Sequence, residues 1–145
     1  MSHGTSVTWL KTVAWLLIVI GALFSWLTSG PLAAVNLAFL DLAVFPVDGA
    51  QTFAATETRL LAAITGGITA GLGMAILMIT RHVYEQNPVL GRRMILWPVL
   101  TWFVVDGVGS VLAGAAFNAL LNLVLLAAII LPLLITRTAK APAHG

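Results

Sequence analysis

Of the 145 residues in this chain, 60% are hydrophobic and 8% charged, and the mean hydropathy is +1.04, which excludes a soluble globular domain and identifies an integral membrane protein. The formal charge of +2 and the pI near 9.7 do not point to nucleic acid, because the Lys and Arg residues flank apolar runs and form no basic, aromatic-studded face. The lack of cysteine excludes disulfides, thiol redox chemistry and cysteine-ligated metals, and with them the quinone-coupled disulfide-forming four-helix proteins.

The length accommodates four spans of about 20 residues with short connections, so residues 1–145 read as one integral membrane domain. The first span is expected over 12–28, uncharged between Lys11 and Trp26, with Gly21 and Ser25 one turn apart on a face that admits a neighbouring helix. A cleaved signal peptide is disfavoured by Pro31 directly after Gly30 and by the bulk of Trp26 and Leu27. Pro31 to Phe45 is too short to cross and reads as interfacial or re-entrant, with Asp41 and Asp48 solvated at its edge. Thr56 is the expected N-cap of the next helix.

The second span is expected over 60–80, entered by Glu57 and Arg59. Ala63, Gly67, Gly71 and Ala75 recur every fourth residue as a helix-packing groove, widened by Gly66 and Ala70. A phosphate-cradling role for these glycines lacks the preceding strand and the Lys, Ser or Thr at set spacing. Arg81 to Arg93, with Pro88 and Gly91, reads as the main polar loop. The third span is expected over 95–112, with Pro98 in its first turn, and the fourth over 118–135 after a tight hairpin at Gly114. Arg137 and Lys140 lead into a tail expected to be disordered. The fold class is therefore all-α: a four-span transmembrane bundle with a short interfacial or re-entrant segment after the first span.

Lys11, Arg81, Arg92, Arg93, Arg137 and Lys140 fall on one side of this arrangement and Arg59 on the other, so both termini are expected in the cytoplasm. Reporter fusions at Gly91 and Gln51 test that orientation. Asp106 interrupts the third span, where an aspartate near the centre of a helix costs roughly 2.5 to 3.5 kcal/mol and demands a partner, water or a proton. Helix rise places it about 9 Å from the outer end of the span. Glu57, Arg59, Ser110, Asn118 and Asn122 lie toward the same end and are the candidate polar cluster around it. One reading is an Arg59–Asp106 ion pair completed by the asparagines as a packing lock. A second is that Asp106 takes up and releases a proton during movement of a small solute, and a third is a pocket for lipid, quinone or a small amphiphile.

His3, His82 and His144 lie outside the spans, which argues against a bis-histidine haem, and His82 with Glu85 makes no metal site. Trp15, Trp97 and Trp102 read as interface anchors or lipid-facing packing. No cofactor is expected, and no nucleophile–base pair for an enzyme can be assembled.

The glycines Gly66, Gly67, Gly71 and Gly73, the W-x-x-x-D-x-x-x-S run of Trp102, Asp106 and Ser110, and the N-x-x-x-N run of Asn118 and Asn122 resemble uncharacterised small four-helix inner-membrane proteins of bacteria. That resemblance, over roughly Glu57 to Pro132, implies a fold and a polar cluster but no reaction. Small multidrug transporters are similar in size, yet their glutamate lies in the first helix, which here is uncharged within the span. Membrane-bound glutathione-dependent enzymes carry an Arg, Asn and Glu pattern missing from this second helix. The leading expectation is a structural or accessory subunit, surrounded by membrane lipids, with a membrane protein or a further copy of itself as its candidate partner. The alternatives are a proton-coupled small-solute transporter using Asp106 and a lipid or small-amphiphile binding protein.

Overall fold

The computed structural model describes residues 1–136, which are all-helical with no strand among them. Arg137, Lys140, His144 and the tail expected to be disordered lie outside the described residues. The elements in order are α1 (His3–Trp26), α2 (Ala33–Val44), α3 (Thr56–Ile79), a π-helical turn (Thr80–Tyr84), α4 (Pro88–Leu112) and α5 (Ala116–Ile135). Four helical stretches are long and apolar enough to cross a membrane, α3 doing so together with the π turn, while α2 has 12 residues and is too short.

Two of the helices, α1 and α4, run further than apolar character alone predicts, because polar residues cap their starts. Ser2 accepts from the Thr5 amide at 3.1 Å and starts α1 at His3, so Lys11 sits inside the helix. Asn87 accepts from the Leu90 amide at 3.0 Å, and Pro88 follows at the first helical position, where its missing N–H costs nothing. The expected loop over Arg81–Arg93 thus shrinks to Glu85–Asn87, its first part wound into the π turn and its second into α4. Pro98 is consequently inside α4 and not in its first turn. Likewise α3 is preceded by Ala55, without a side-chain cap, and Thr56 is already helical.

Two close pairs make the bundle, α1 with α3 and α4 with α5. In the first pair the backbones nearly touch: a Cβ on Gly21 would lie 2.5 Å from the Gly66 carbonyl, one on Gly66 2.4 Å from the Gly21 carbonyl, and one on Gly73 2.7 Å from the Ala14 carbonyl. The face of α3 that meets α1 therefore carries Gly66, Ala70 and Gly73, the first two being the residues expected to widen the groove. The expected Ala63, Gly67, Gly71 and Ala75 groove is turned away from α1, and nothing approaches Gly67 or Gly71 within 4 Å. Two small faces lie side by side on this helix, and periodicity alone does not say which one receives the neighbour.

The main core joins Leu10, Ala14 and Leu17 of α1 to Ile76 and Leu77 of α3, Tyr84 of the π turn, Ile95 and Val99 of α4, and Ile129 and Leu133 of α5. It fills the end of the bundle that carries Lys11, Arg81, Arg92 and Arg93, called the basic end below. Here Gly91 presses on the Tyr84 backbone, where a Cβ would come within 2.4 Å. The Tyr84 hydroxyl, fully buried, meets the Ser6 hydroxyl at 2.9 Å, and Ser6 in turn donates to the Pro132 carbonyl at 3.2 Å. Pro132 has no amide hydrogen, which leaves the Ala128 carbonyl without its helical donor; the Trp9 indole N–H donates to that carbonyl at 2.8 Å.

At the far end the pairs separate. A smaller cluster of Ala33, Phe53 and Ala62 lies under α2, and Phe45 stacks on Phe117 of α5 with ring centroids 5.3 Å apart. Of α4, only Gly91, Ile95 and Val99 are buried, all in its first half. Its second half meets α5 on one side and leaves a cleft toward α3 on the other.

Candidate functional site

The polar cluster around Asp106 is assembled by the turn between α4 and α5. Gly114 takes the left-handed conformation (φ 79°) that reverses the chain at Ala113–Ala115. In an antiparallel hairpin, residues equidistant from the turn face each other, and Ser110 and Asn118, then Asp106 and Asn122, are such pairs about Gly114. The Asn118 amide donates to Ser110 Oγ at 2.8 Å and to Asp106 Oδ2 at 3.2 Å, while Ser110 Oγ donates to Asp106 Oδ2 at 3.4 Å. The Asn122 amide donates to the same Oδ2.

All four contacts fall on α4 and α5, and every donor to Asp106 addresses Oδ2. Oδ1 has no hydrogen-bond partner among the described residues. Asp106 also lines a cleft of about 230 Å³ together with Trp102 and Val105 of α4 and Thr65, Ile68 and Thr69 of α3. The Thr69 hydroxyl donates to the Thr65 carbonyl at 2.9 Å, which leaves its lone pairs directed outward as acceptors. A larger hollow of about 460 Å³ lies on the opposite side of α4 against residues such as Val104, Val108 and Leu112. It contains no polar side chain and offers nothing to orient a ligand.

Arg59 and Glu57 are not in this cluster. The Arg59 guanidinium turns back on its own entry loop, donating to the Phe53 carbonyl at 2.8 Å, the Ala54 carbonyl at 3.1 Å and the Thr56 hydroxyl at 3.0 Å. The carbonyls and hydroxyl at the entrance to α3 satisfy the cation without a carboxylate. The expected Arg59–Asp106 ion pair is therefore not formed; the one ion pair among the described residues is Lys11–Glu85, at the basic end. Glu57 is exposed in the first turn of α3, where a negative charge suits the helix dipole.

Of the two aspartates expected at the surface, Asp48 is exposed and Asp41 is not. Asp41 is buried, not solvated: its carboxylate accepts from the Gly49 amide at 3.0 and 3.1 Å and from the Asp48 amide at 3.3 Å, and so fixes the loop after α2. Asp48 itself only closes a local turn onto the Ala50 amide. Asn36 donates to the Leu27 and Phe24 carbonyls at 2.9 and 3.0 Å, satisfying the end of α1 from the neighbouring helix. Trp102 is half-buried and packs on the core, unlike Trp15 and Trp97, which are exposed. Sequence reading missed Thr65 and Thr69 as cleft residues. The available signal was their spacing of one turn on the same end of the bundle as Asp106.

At the basic end, Lys11 and Glu85 join α1 to the loop before α4. The hydrogen bond from Lys11 holds the Glu85 carboxyl below its ordinary value of 4.5, outweighing an opposing effect of burial, with the charges of Lys11, Arg81 and His3 acting in the same direction as the bond. His3 meets the Glu85 carbonyl at 3.3 Å and packs against the Tyr84 ring, and no group of three or more His, Cys, Asp or Glu stands together among the described residues.

The chain matches no protein-family model, no curated protein and no solved structure, so the resemblance to small four-helix inner-membrane proteins gives it no family assignment. What stands is an all-helical, multi-span membrane protein with a carboxylate lining a cleft between two of its spans.

Proposed function

We propose that this protein binds a small amphiphile in the cleft between α3 and α4, with Asp106 as its polar contact. The observation that carries this reading is that, among the described residues, Asp106 faces the cleft with one carboxylate oxygen unused and no basic side chain paired with it. The cleft combines apolar walls from Ile68, Trp102 and Val105 with a few polar groups, the composition typical of small-molecule sites. A purely structural or accessory subunit is supported less well, since the ion pair that would make Asp106 a packing lock is absent. The reading is one of binding without chemistry: the cleft offers a carboxylate and two threonine hydroxyls, and the Thr69 hydroxyl donates to a backbone carbonyl instead of a base.

Native mass spectrometry of the protein released gently from its own membrane tests this. The expected result is an added mass of a few hundred daltons that disappears when Ile68→Trp fills the cleft. Added mass from another polypeptide, with none from a small molecule, would instead favour the accessory subunit. A proton-coupled transporter remains the second reading, favoured by the same free Oδ1, and predicts solute-dependent proton flux in proteoliposomes that Asp106→Asn abolishes.

We place the chain in a bacterial inner membrane with the basic end in the cytoplasm, supported by Lys11, Arg81, Arg92 and Arg93 at that end and Arg59 at the other. A topology reporter is better inserted at Gln86 than at Gly91, whose place against Tyr84 tolerates no side chain.

A further inference from the structure

The groups lining the α3–α4 cleft are acceptors, and this decides the kind of head group it suits. Asp106 spends Oδ2 on donors from Ser110, Asn118 and Asn122 and keeps Oδ1 for an occupant. Thr69 commits its hydroxyl hydrogen to the Thr65 carbonyl and presents lone pairs. Trp102, one helical turn before Asp106, lines the same cleft, and an indole face attracts a cation. No Lys, Arg or His is among the lining residues, so nothing there answers an anionic head. A neutral head would leave the carboxylate uncompensated at a depth of about 9 Å from the end of α4, where a lone charge is costly.

Resting on the amphiphile-binding reading above, we infer that the cleft is a site for an alkylammonium head, its N–H groups directed to Asp106 Oδ1 and Thr69 Oγ1 and its charge beside Trp102. The apolar tail would leave past Ile68 and Val105, both exposed on the outer surfaces of their helices. The ammonium could belong to a free amine or to a lipid head group; the chemistry recognised is the same.

The test is saturable binding of radiolabelled decylammonium to the full chain in phosphatidylcholine nanodiscs, with empty discs subtracted and decanol as the uncharged probe of equal chain length. The expected result is at least a tenfold preference for decylammonium, lost in Asp106→Asn and weakened in Trp102→Leu but kept in Trp102→Phe. Saturable binding of both probes with equal affinity, abolished for both by Ile68→Trp, would overturn the ammonium inference and leave the amphiphile-binding reading standing. If neither probe binds saturably, both fall. Retention of the tenfold preference in Asp106→Asn, with the variant folded as judged by its unfolding transition, would also overturn the inference. Repeating the measurement in discs enriched in phosphatidylethanolamine separates the sources: competition identifies the lipid head group as occupant, and unchanged binding identifies a free amine.

Discussion

Trp9 and Pro132 illustrate how one residue's defect is corrected by another on a different helix. A proline in a helix interior deletes a backbone hydrogen bond, and in a bilayer no water replaces it. The Trp9 indole, 2.8 Å from the orphaned Ala128 carbonyl, supplies the donor and fixes α1 against α5. Interhelical hydrogen bonds in membranes contribute about 0.6 kcal/mol on average and up to about 1.7. Trp9→Phe is expected to destabilise the protein by an amount in that range in a denaturant titration in detergent. In a Pro132→Ala background, where α5 satisfies its own carbonyl, the same change should cost much less. Equal costs in the two backgrounds would show that the indole acts only by packing.

Glu85 carries a second expectation at this scale. Its folded carboxyl titrates below 4.5 because Lys11 stabilises the charged form. Such a group contributes stability that is complete above the unfolded value and is lost as pH falls through the lowered folded one. The stability advantage of the wild type over Glu85→Gln should be present near neutrality and close in acid. A gap that does not change with pH would assign the contact no electrostatic role.

Between elements, the α1–α3 pairing depends on glycine where the two backbones meet. An alanine at Gly66 would place its methyl 2.4 Å from the Gly21 carbonyl, and neither backbone can yield without opening the pair. Gly66→Ala is expected to cost about 1 to 3 kcal/mol, the range for overpacking. Gly67→Ala and Gly71→Ala, with open space around them, should be neutral or stabilise by up to about 1 kcal/mol through helix propensity. Thermal unfolding of the three variants in one detergent distinguishes them, and equal effects would mean that the helix interface is not where the backbones place it. This is also where sequence reading reached its limit. A run containing Ala62, Ala63, Gly66, Gly67, Ala70, Gly71 and Gly73 supports more than one small stripe, and the choice among them is made by Gly21 on another helix.

For the whole molecule, the four spans and the short segment after the first were legible because apolar run length and Pro or Gly punctuation act locally. Helix ends were not, because Ser2 and Asn87 extend α1 and α4 by capping them, and polar caps resemble loops in composition. The Asp106, Ser110, Asn118 and Asn122 contacts were accessible to sequence reasoning, since reflection about Gly114 pairs them. The fate of Arg59 was not. It depends on loop carbonyls of Phe53 and Ala54 whose position is set by how α2 packs. Asp41 was misread for a similar reason, as its partners are backbone amides brought back by the turn at Gly49.

The cleft lies between two spanning helices and opens past Ile68 and Val105, side chains that face the hydrocarbon. An occupant of the proposed site would therefore exchange with the surrounding leaflet and not with bulk solution. Its occupancy is governed by the mole fraction of that molecule among the lipids, so a dissociation constant expressed per litre of buffer will change with the amount of membrane present. Two preparations with the same protein and total ligand but different lipid-to-protein ratios should give different apparent affinities that coincide once ligand is counted per lipid.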